Sequence, residues 1–381
     1  MSAASCGFDD KTQRRARSYL YRGLRASLGK GVVLVVLAFL VLGMWLSVGF
    51  EHFLRAYVLG TFWTVAIYVL IGYLMFWLVS FPFDYYEGYA LQHKFGLSTE
   101  QRTGWLHDKV AMGILSVLII LAFVEGAYGF MRLNPAYWWL FTWVVSASFI
   151  VFFVYVYPVL IMPLFYKYPK LEDEDLLNKL SELAAKAGIR IKGVYEMKAS
   201  AKTKKATAAL AGIGSTRRMI LSDTFLSNSS KDEIETTMGH EIGHQVYGHI
   251  WKYTVVFSAV FLLMLFLTSK VMQATVGFWG LGSVDSADSL PLMALVLGLL
   301  YAVLIPFMNS LSRWSEAHCD QYALDLVEKP DAYISKMIKL CDQNLRYAYP
   351  NRLIEFLFYD HPSGKKRIER ALAYKRAHSL E

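Results

Sequence analysis

Six uninterrupted apolar runs constrain this chain before any motif is read. They fall at about 31–50, 57–81, 110–130, 137–165, 253–274 and 291–311. A helix crosses a bilayer in roughly 20 residues, so each run is long enough to span one. Buried helices of a water-soluble core normally keep a polar stripe, and these runs almost entirely lack one. Composition agrees, with 55% hydrophobic and only 18% charged residues. The expected architecture is mainly α, a polytopic transmembrane helix bundle of about six spans. The first run begins some thirty residues in and lacks a small-residue cleavage site, so it is read as a retained helix. Pro158 and Pro163 in the fourth run and Pro306 in the sixth mark kinks or the wall of an internal cavity.

Charge sets the expected orientation. Lys11, Arg14, Arg15, Arg17, Arg22, Arg25 and Lys30 precede the first run, which places the N-terminus in the cytoplasm. Counting crossings puts the turns near Arg55 and Arg132, and the stretch 275–290, on the far side. The connection 82–109, the long segment 166–252 and everything after 311 then share the cytoplasmic side. The expected organisation is a basic N-terminal segment (1–30), a four-span region (31–165), a polar block (166–250), a transmembrane hairpin (251–311) and a second polar block (312–381). This topology and contact with anionic lipid account for the net charge of +8 without a nucleic-acid partner. Cys6, Cys319 and Cys341 are scattered, as expected of reduced thiols facing a cytosol rather than of a disulfide framework.

The first polar block reads as α+β. Apolar residues at helical spacing (Leu176, Leu177, Leu180, Leu183, Ala184) predict a helix over 172–188, ended by Gly188. Short strands are predicted at 193–197, 208–213 and 218–221, with a turn at Gly214 and Ser215. A further helix starts at Ser230, where Glu233 completes a capping box, and Ile234, Met238, Ile242 and Val246 form its apolar ridge.

That helix carries His240-Glu241-x-x-His244. Imidazoles at i and i+4 project from one face about a turn apart, the separation one zinc ion needs. Glu241 points toward the open coordination position, where it can take a proton from an attacking water and deliver it to a leaving amine. A catalytic zinc needs a third protein ligand, for which His249, Glu316, His318 and His361 are candidates. His249 lies five residues past His244, rotated off the shared face of a continuous helix, and reads as a surface or supporting residue. Glu316 and Asp320 sit four apart in the stretch after the sixth run. One carboxylate of such a pair can bind metal while the other accepts the spare N–H of a ligand histidine. His318 points away from Glu316.

With these residues in place the sequence resembles the type I CAAX prenyl proteases, integral-membrane zinc metallopeptidases, and more distantly the HtpX membrane proteases. The resemblance covers about 81–370. It includes Pro82-Phe83, Lys94-Phe95-Gly96-Leu97, Tyr157-Pro158, Pro163-Leu164-Phe165, the zinc motif with Gly248-His249, Ser312-Arg313 with Glu316 and Asp320, and His361-Pro362 with Arg367-Ile368. It implies one Zn2+ per chain held by His240, His244 and Glu316, in a cytoplasmic-side α+β zinc metallopeptidase domain of gluzincin type. It further implies that Asp320 and Arg367 support the site and that His361 helps hold the scissile carbonyl oxygen. An edge strand, Thr207-Ala208-Ala209-Leu210-Ala211-Gly212, would pair with the substrate. Thr207 stands where relatives carry Asn, and eukaryotic members have seven spans against six here.

The function expected is a membrane-embedded zinc endopeptidase in a bacterial inner membrane or the endoplasmic reticulum, active site toward the cytoplasm. Its substrates are peptides or proteins, lipid-modified or membrane-associated, with membrane lipids as further partners. HtpX-like quality control of membrane proteins is the alternative enzyme reading. A transporter calls for ionisable residues inside the spans, which are few, and an inactive scaffold predicts erosion of the zinc set, which is intact.

Overall fold

The computed structural model describes residues 6–58, 60–156 and 166–379. In chain order the N-terminal half is helical: α1 (Asp10–Gly43), α2 (Leu46–Tyr57), α3 (Thr61–Tyr85), α4 (Arg102–Leu133) and α5 (Trp138–Val156). Then come α6 (Glu174–Lys186), β1 (Val194–Met197), β2 (Ala208–Ala211), β3 (Arg218–Ser222) and α7 (Lys231–Val246). The long helices α8 (His249–Thr275) and α9 (Leu290–Val327) lead to α10 (Pro330–Gln343), α11 (Arg352–Phe358) and α12 (Gly364–Ala377).

Among the described residues five helices are long and apolar enough to cross a membrane, and a shorter apolar helix occupies the fourth run. The rest of that run, including Tyr157-Pro158 and Pro163-Leu164-Phe165, lies outside the described residues. The first run differs from expectation. The single helix predicted at 31–50 is instead the end of α1, which has already carried the basic residues from Lys11 to Lys30, followed by a break and α2. Trp45 at the break takes a left-handed backbone (φ 54°). The cause is polar: Glu51 on α2 is buried and accepts from Ser286 Oγ (2.7 Å) and the Ala287 amide (3.2 Å), which folds α2 across the end of the bundle.

The apolar core of the bundle joins Leu42, Val69, Tyr128, Trp138, Leu265 and Met293 from six different elements. Outward faces stay apolar as well, with Val32, Leu118, Phe152, Val255 and Val303 all exposed, the pattern a lipid-facing surface requires.

The three strands form one sheet in the order β1-β3-β2, with β1 parallel and β2 antiparallel to β3. β2 therefore lies at an edge. Behind the sheet, Leu180 and Leu183 of α6, Met219 and Leu221 of β3, and Ile234, Met238 and Ile242 of α7 make a second core. Val246, the last residue of the predicted ridge, is exposed instead.

Candidate metal centre

The helix α7 begins as its sequence dictates. Ser230 Oγ accepts from the Glu233 amide and the Glu233 carboxylate accepts from the Ser230 amide (2.8 Å). The same carboxylate receives Lys339 Nζ (2.8 Å) and Ser335 Oγ (2.6 Å), which pins α7 to α10. The register of the histidines is thus fixed from below.

What brings a second helix to them is a pair of glycines. A Cβ on Gly239 would lie 2.9 Å from Val327 Cγ2, and one on Gly243 would lie 3.3 Å from Cys319 Cα. Glycines four apart let α9 cross α7 almost backbone to backbone. That approach carries Glu316 onto the two imidazoles.

His240 Nε2 and His244 Nε2 are 3.3 Å apart, and Glu316 Oε2 and Oε1 lie 3.0 and 3.2 Å from them respectively. Glu316 is 5% exposed, and its Oε2 has no hydrogen-bond partner although His240 is so near, because the approach lacks hydrogen-bond geometry. Two imidazole nitrogens and an orphaned buried carboxylate oxygen facing one point are the donors a divalent cation satisfies. These residues fit a metal ion.

The second nitrogen of each histidine is also engaged. His240 Nδ1 lies 2.9 Å from Asp320 Oδ1. Asp320 is fully buried and takes two-nitrogen contacts from Arg367 (Nε at 3.0 and 3.1 Å, Nη2 at 2.5 Å) and one from Arg370 (3.1 Å). Burial alone would lower the His240 pKa, but the Asp320 and Glu316 carboxylates outweigh it and push it up to about 9. Arg367 is likewise held well above its usual range by Asp320 despite burial.

His244 Nδ1 lies 3.0 Å from His249 Nδ1, which in turn is 3.5 Å from Cys319 Sγ. This corrects the placement of His249 off the site's face. α7 stops at Tyr247, Gly248 takes a left-handed backbone (φ +64°), and α8 restarts at His249, so the ring swings back toward His244 and is buried. His244, His249 and Cys319 form a second group close enough to share an ion, but they share His244 with the first. Gly248 was the available signal in the sequence.

Of the other expected site residues, Thr207, Ala208, Glu241, His361 and Arg367 line one cavity of about 560 Å³ together with Tyr333, whereas Ala209, Leu210, Ala211 and Gly212 are not among its walls. Glu241 is half-buried beside His240. His361 Nδ1 is held by Asp360 (2.8 Å), and its Nε2 lies 3.4 Å from Glu316 Oε1. His318 is exposed and bonded to the Trp314 carbonyl, away from the group. The segment Thr207–Gly212 runs along the open edge of the sheet, with one feature the sequence did not reveal. Gln245 Nε2 donates to the carbonyls of Leu210 (3.3 Å) and Gly212 (3.4 Å), so part of that edge is already occupied.

A bundle of membrane helices closing on an H-E-x-x-H helix and a buried glutamate defines a multi-pass membrane metallopeptidase. Residues 170–375 match the profile of Peptidase family M48, and residues 4–167 match the profile described as CAAX prenyl protease N-terminal, five membrane helices. The chain belongs to peptidase family M48. It is 31% identical over 298 residues to the uncharacterized metalloprotease YhfN of Bacillus subtilis, covering 77% of this chain and 70% of that one. It is 27% identical over 316 residues to CAAX prenyl protease 1 of Saccharomyces cerevisiae, covering 76% and 68%. It is 25% identical over 255 residues to the CAAX prenyl protease 1 homolog of Dictyostelium discoideum, covering 65% of this chain and 60% of the relative. The crystal structure of S. mikatae Ste24p shares the fold, with a TM-score of 0.82 at 21% identity over 95% of this chain and 89% of that one.

Proposed function

We propose that the chain is a zinc-dependent endopeptidase whose catalytic unit is built from 166–250 and 312–381 and faces the cytoplasm. His240, His244 and Glu316 would hold a single zinc ion. The observation that carries this reading is the convergence of His240 Nε2 and His244 Nε2 on the buried Glu316 carboxylate, one oxygen near each nitrogen, with Oε2 left without a hydrogen-bond partner. A two-nitrogen, one-oxygen donor set with a cavity on its open side suits zinc in a hydrolytic role. Zinc bound there would supply Lewis acidity toward the scissile carbonyl and a more acidic water.

The chain's own groups divide the remaining work. Glu241, on the cavity wall, accepts the proton of the attacking water and passes it to the departing amine. His361, aimed by Asp360, donates toward the oxygen on which charge develops. Asp320 fixes the His240 tautomer, and Arg367 keeps Asp320 charged. An extended substrate adds as a strand beside Thr207–Gly212, and to pair along its full length it displaces the two long Gln245 bonds. A lipid-modified or membrane-associated peptide fits a site that opens beside a lipid-facing bundle, in keeping with the relatives named CAAX prenyl protease 1.

The test uses the purified full chain and a peptide set offered with and without a prenyl group. Glu241→Gln should keep stoichiometric zinc and lose cleavage by on the order of 10²- to 10⁴-fold. Undiminished cleavage by that variant would exclude Glu241 as the proton carrier. Preference for the prenylated set supports a lipid-modified substrate, while equal cleavage of both favours broad membrane-protein turnover.

A further inference from the structure

We propose that the groove between the N-terminal part of α1 and the end of α3 binds the head group of an anionic phospholipid. Arg14, Arg17, Arg22 and Arg25 line this groove, which has a volume of about 1090 Å³ and a second wall of Pro82, Phe83 and Tyr86. Spacing of i, i+3, i+8 and i+11 gathers the four guanidinium groups on one side of the helix.

Among the described residues no carboxylate lies within ion-pair distance of any of the four. The acids on the neighbouring wall are engaged elsewhere: Asp84 pairs with Lys30 (2.9 Å) and Lys109 (2.5 Å), and Glu87 accepts from Ser27 (2.6 Å). Arg22 meets only the Ser18 hydroxyl (3.3 Å), and Arg17 stacks over the Tyr21 ring. Four like charges in one groove repel each other, and the planar donor forks of arginine match phosphate oxygens.

The chemistry above the groove selects the ligand. One further turn along the same face of α1 the arginines give way to Leu28, Val32 and Val36, 54%, 64% and 50% exposed. Tyr21 and Tyr86 sit at the boundary, as tyrosines do at a membrane interface. A ligand with a phosphodiester joined directly to acyl chains satisfies both halves, whereas a free phosphate satisfies only the lower. A π-helical turn at Tyr86–Ala90 interrupts the wall at this point, a distortion that recurs where helices meet ligands.

This inference is independent of the zinc site. α1 nonetheless touches both regions, since Tyr19 accepts from Lys205 Nζ (3.1 Å) on the cavity wall and Gln13 accepts from the Ala348 amide (2.8 Å). Lipid held on α1 should therefore raise the thermal stability of the whole chain.

The experiment is native mass spectrometry and thermal unfolding of the detergent-solubilised full chain, titrated with phosphatidylglycerol, phosphatidylcholine or inorganic phosphate. Saturable retention of one phosphatidylglycerol with a rise in Tm is expected, and neither of the other two should reproduce it. Arg17→Gln/Arg22→Gln should weaken retention on the order of tenfold, while Arg55→Gln/Arg132→Gln, at the other end of the bundle, should not. Arg17→Lys/Arg22→Lys preserves the charge that directs insertion and should still weaken binding severalfold through loss of the forked contacts. Equal retention of phosphatidylcholine, full competition by inorganic phosphate, or unchanged binding in the lysine variant would overturn the proposal.

Discussion

Loading a metal at this site should be strongly pH-dependent, and the size of the effect follows from His240. In the metal-free protein its pKa is pushed up to about 9, because the Asp320 and Glu316 carboxylates on its two nitrogens outweigh its burial. A ligating imidazole nitrogen must be unprotonated, so metal entry below that pH expels a proton. At pH 7, roughly two units below that pKa, removing the proton costs on the order of 3 kcal/mol, or about a hundredfold in affinity. Because His240 is only 6% exposed, bulk screening reduces this little.

Affinity for zinc should therefore rise about tenfold per pH unit from 7 toward 9 and level off above, with about one proton released per ion. Calorimetric titration against a competing chelator, in buffers of different ionisation enthalpy, reads both quantities. The metal-free fold behaves in the opposite sense. The folded pKa lies above the unfolded value of 6.5, so His240 protonation stabilises fully below about 6.5, and that contribution disappears as pH rises toward about 9. The Tm gain on adding zinc should widen across the same window. A pH-independent affinity with no proton released between pH 7 and 9 would refute the reasoning.

Two further outcomes test how the centre is held. His249→Ala should weaken zinc binding by roughly 10- to 100-fold by freeing the His244 ring, with Cobalt(II) spectra showing an altered ligand field and His249→Asn recovering part of the loss. Gly239→Leu should drive a side chain into Val327 and Ala323 and lower stability by about 1–3 kcal/mol, measured as Tm in detergent, whereas the exposed Val246→Leu should change little.

The division between what is local and what is tertiary runs through particular residues. Ser230 and Glu233 announce the start of α7 because a capping box lies within four consecutive residues, and His240 and His244 share a face because helical period alone determines it. The apolar runs are legible for the same reason, since length and hydropathy are properties of a contiguous stretch. Where the first run stops is not, because the break at Trp45 answers to Glu51 meeting Ser286 from far along the chain. Nor can spacing choose between Glu316 and Asp320, which sit on one helix face and differ in role only through what α7 and α12 bring against each.

His249 shows the limit most clearly. Counted along an unbroken helix it turns away from His244, and a single left-handed glycine returns it to within 3.0 Å. By itself, then, the sequence determined a membrane bundle and a helix able to offer two imidazoles to a metal. The tertiary structure decided which carboxylate meets them, which groups hold their far nitrogens, and how much of the β2 edge stands open. Periodicity acts over neighbouring residues, whereas a coordination sphere is assembled by the close crossing of helices that are distant in the chain.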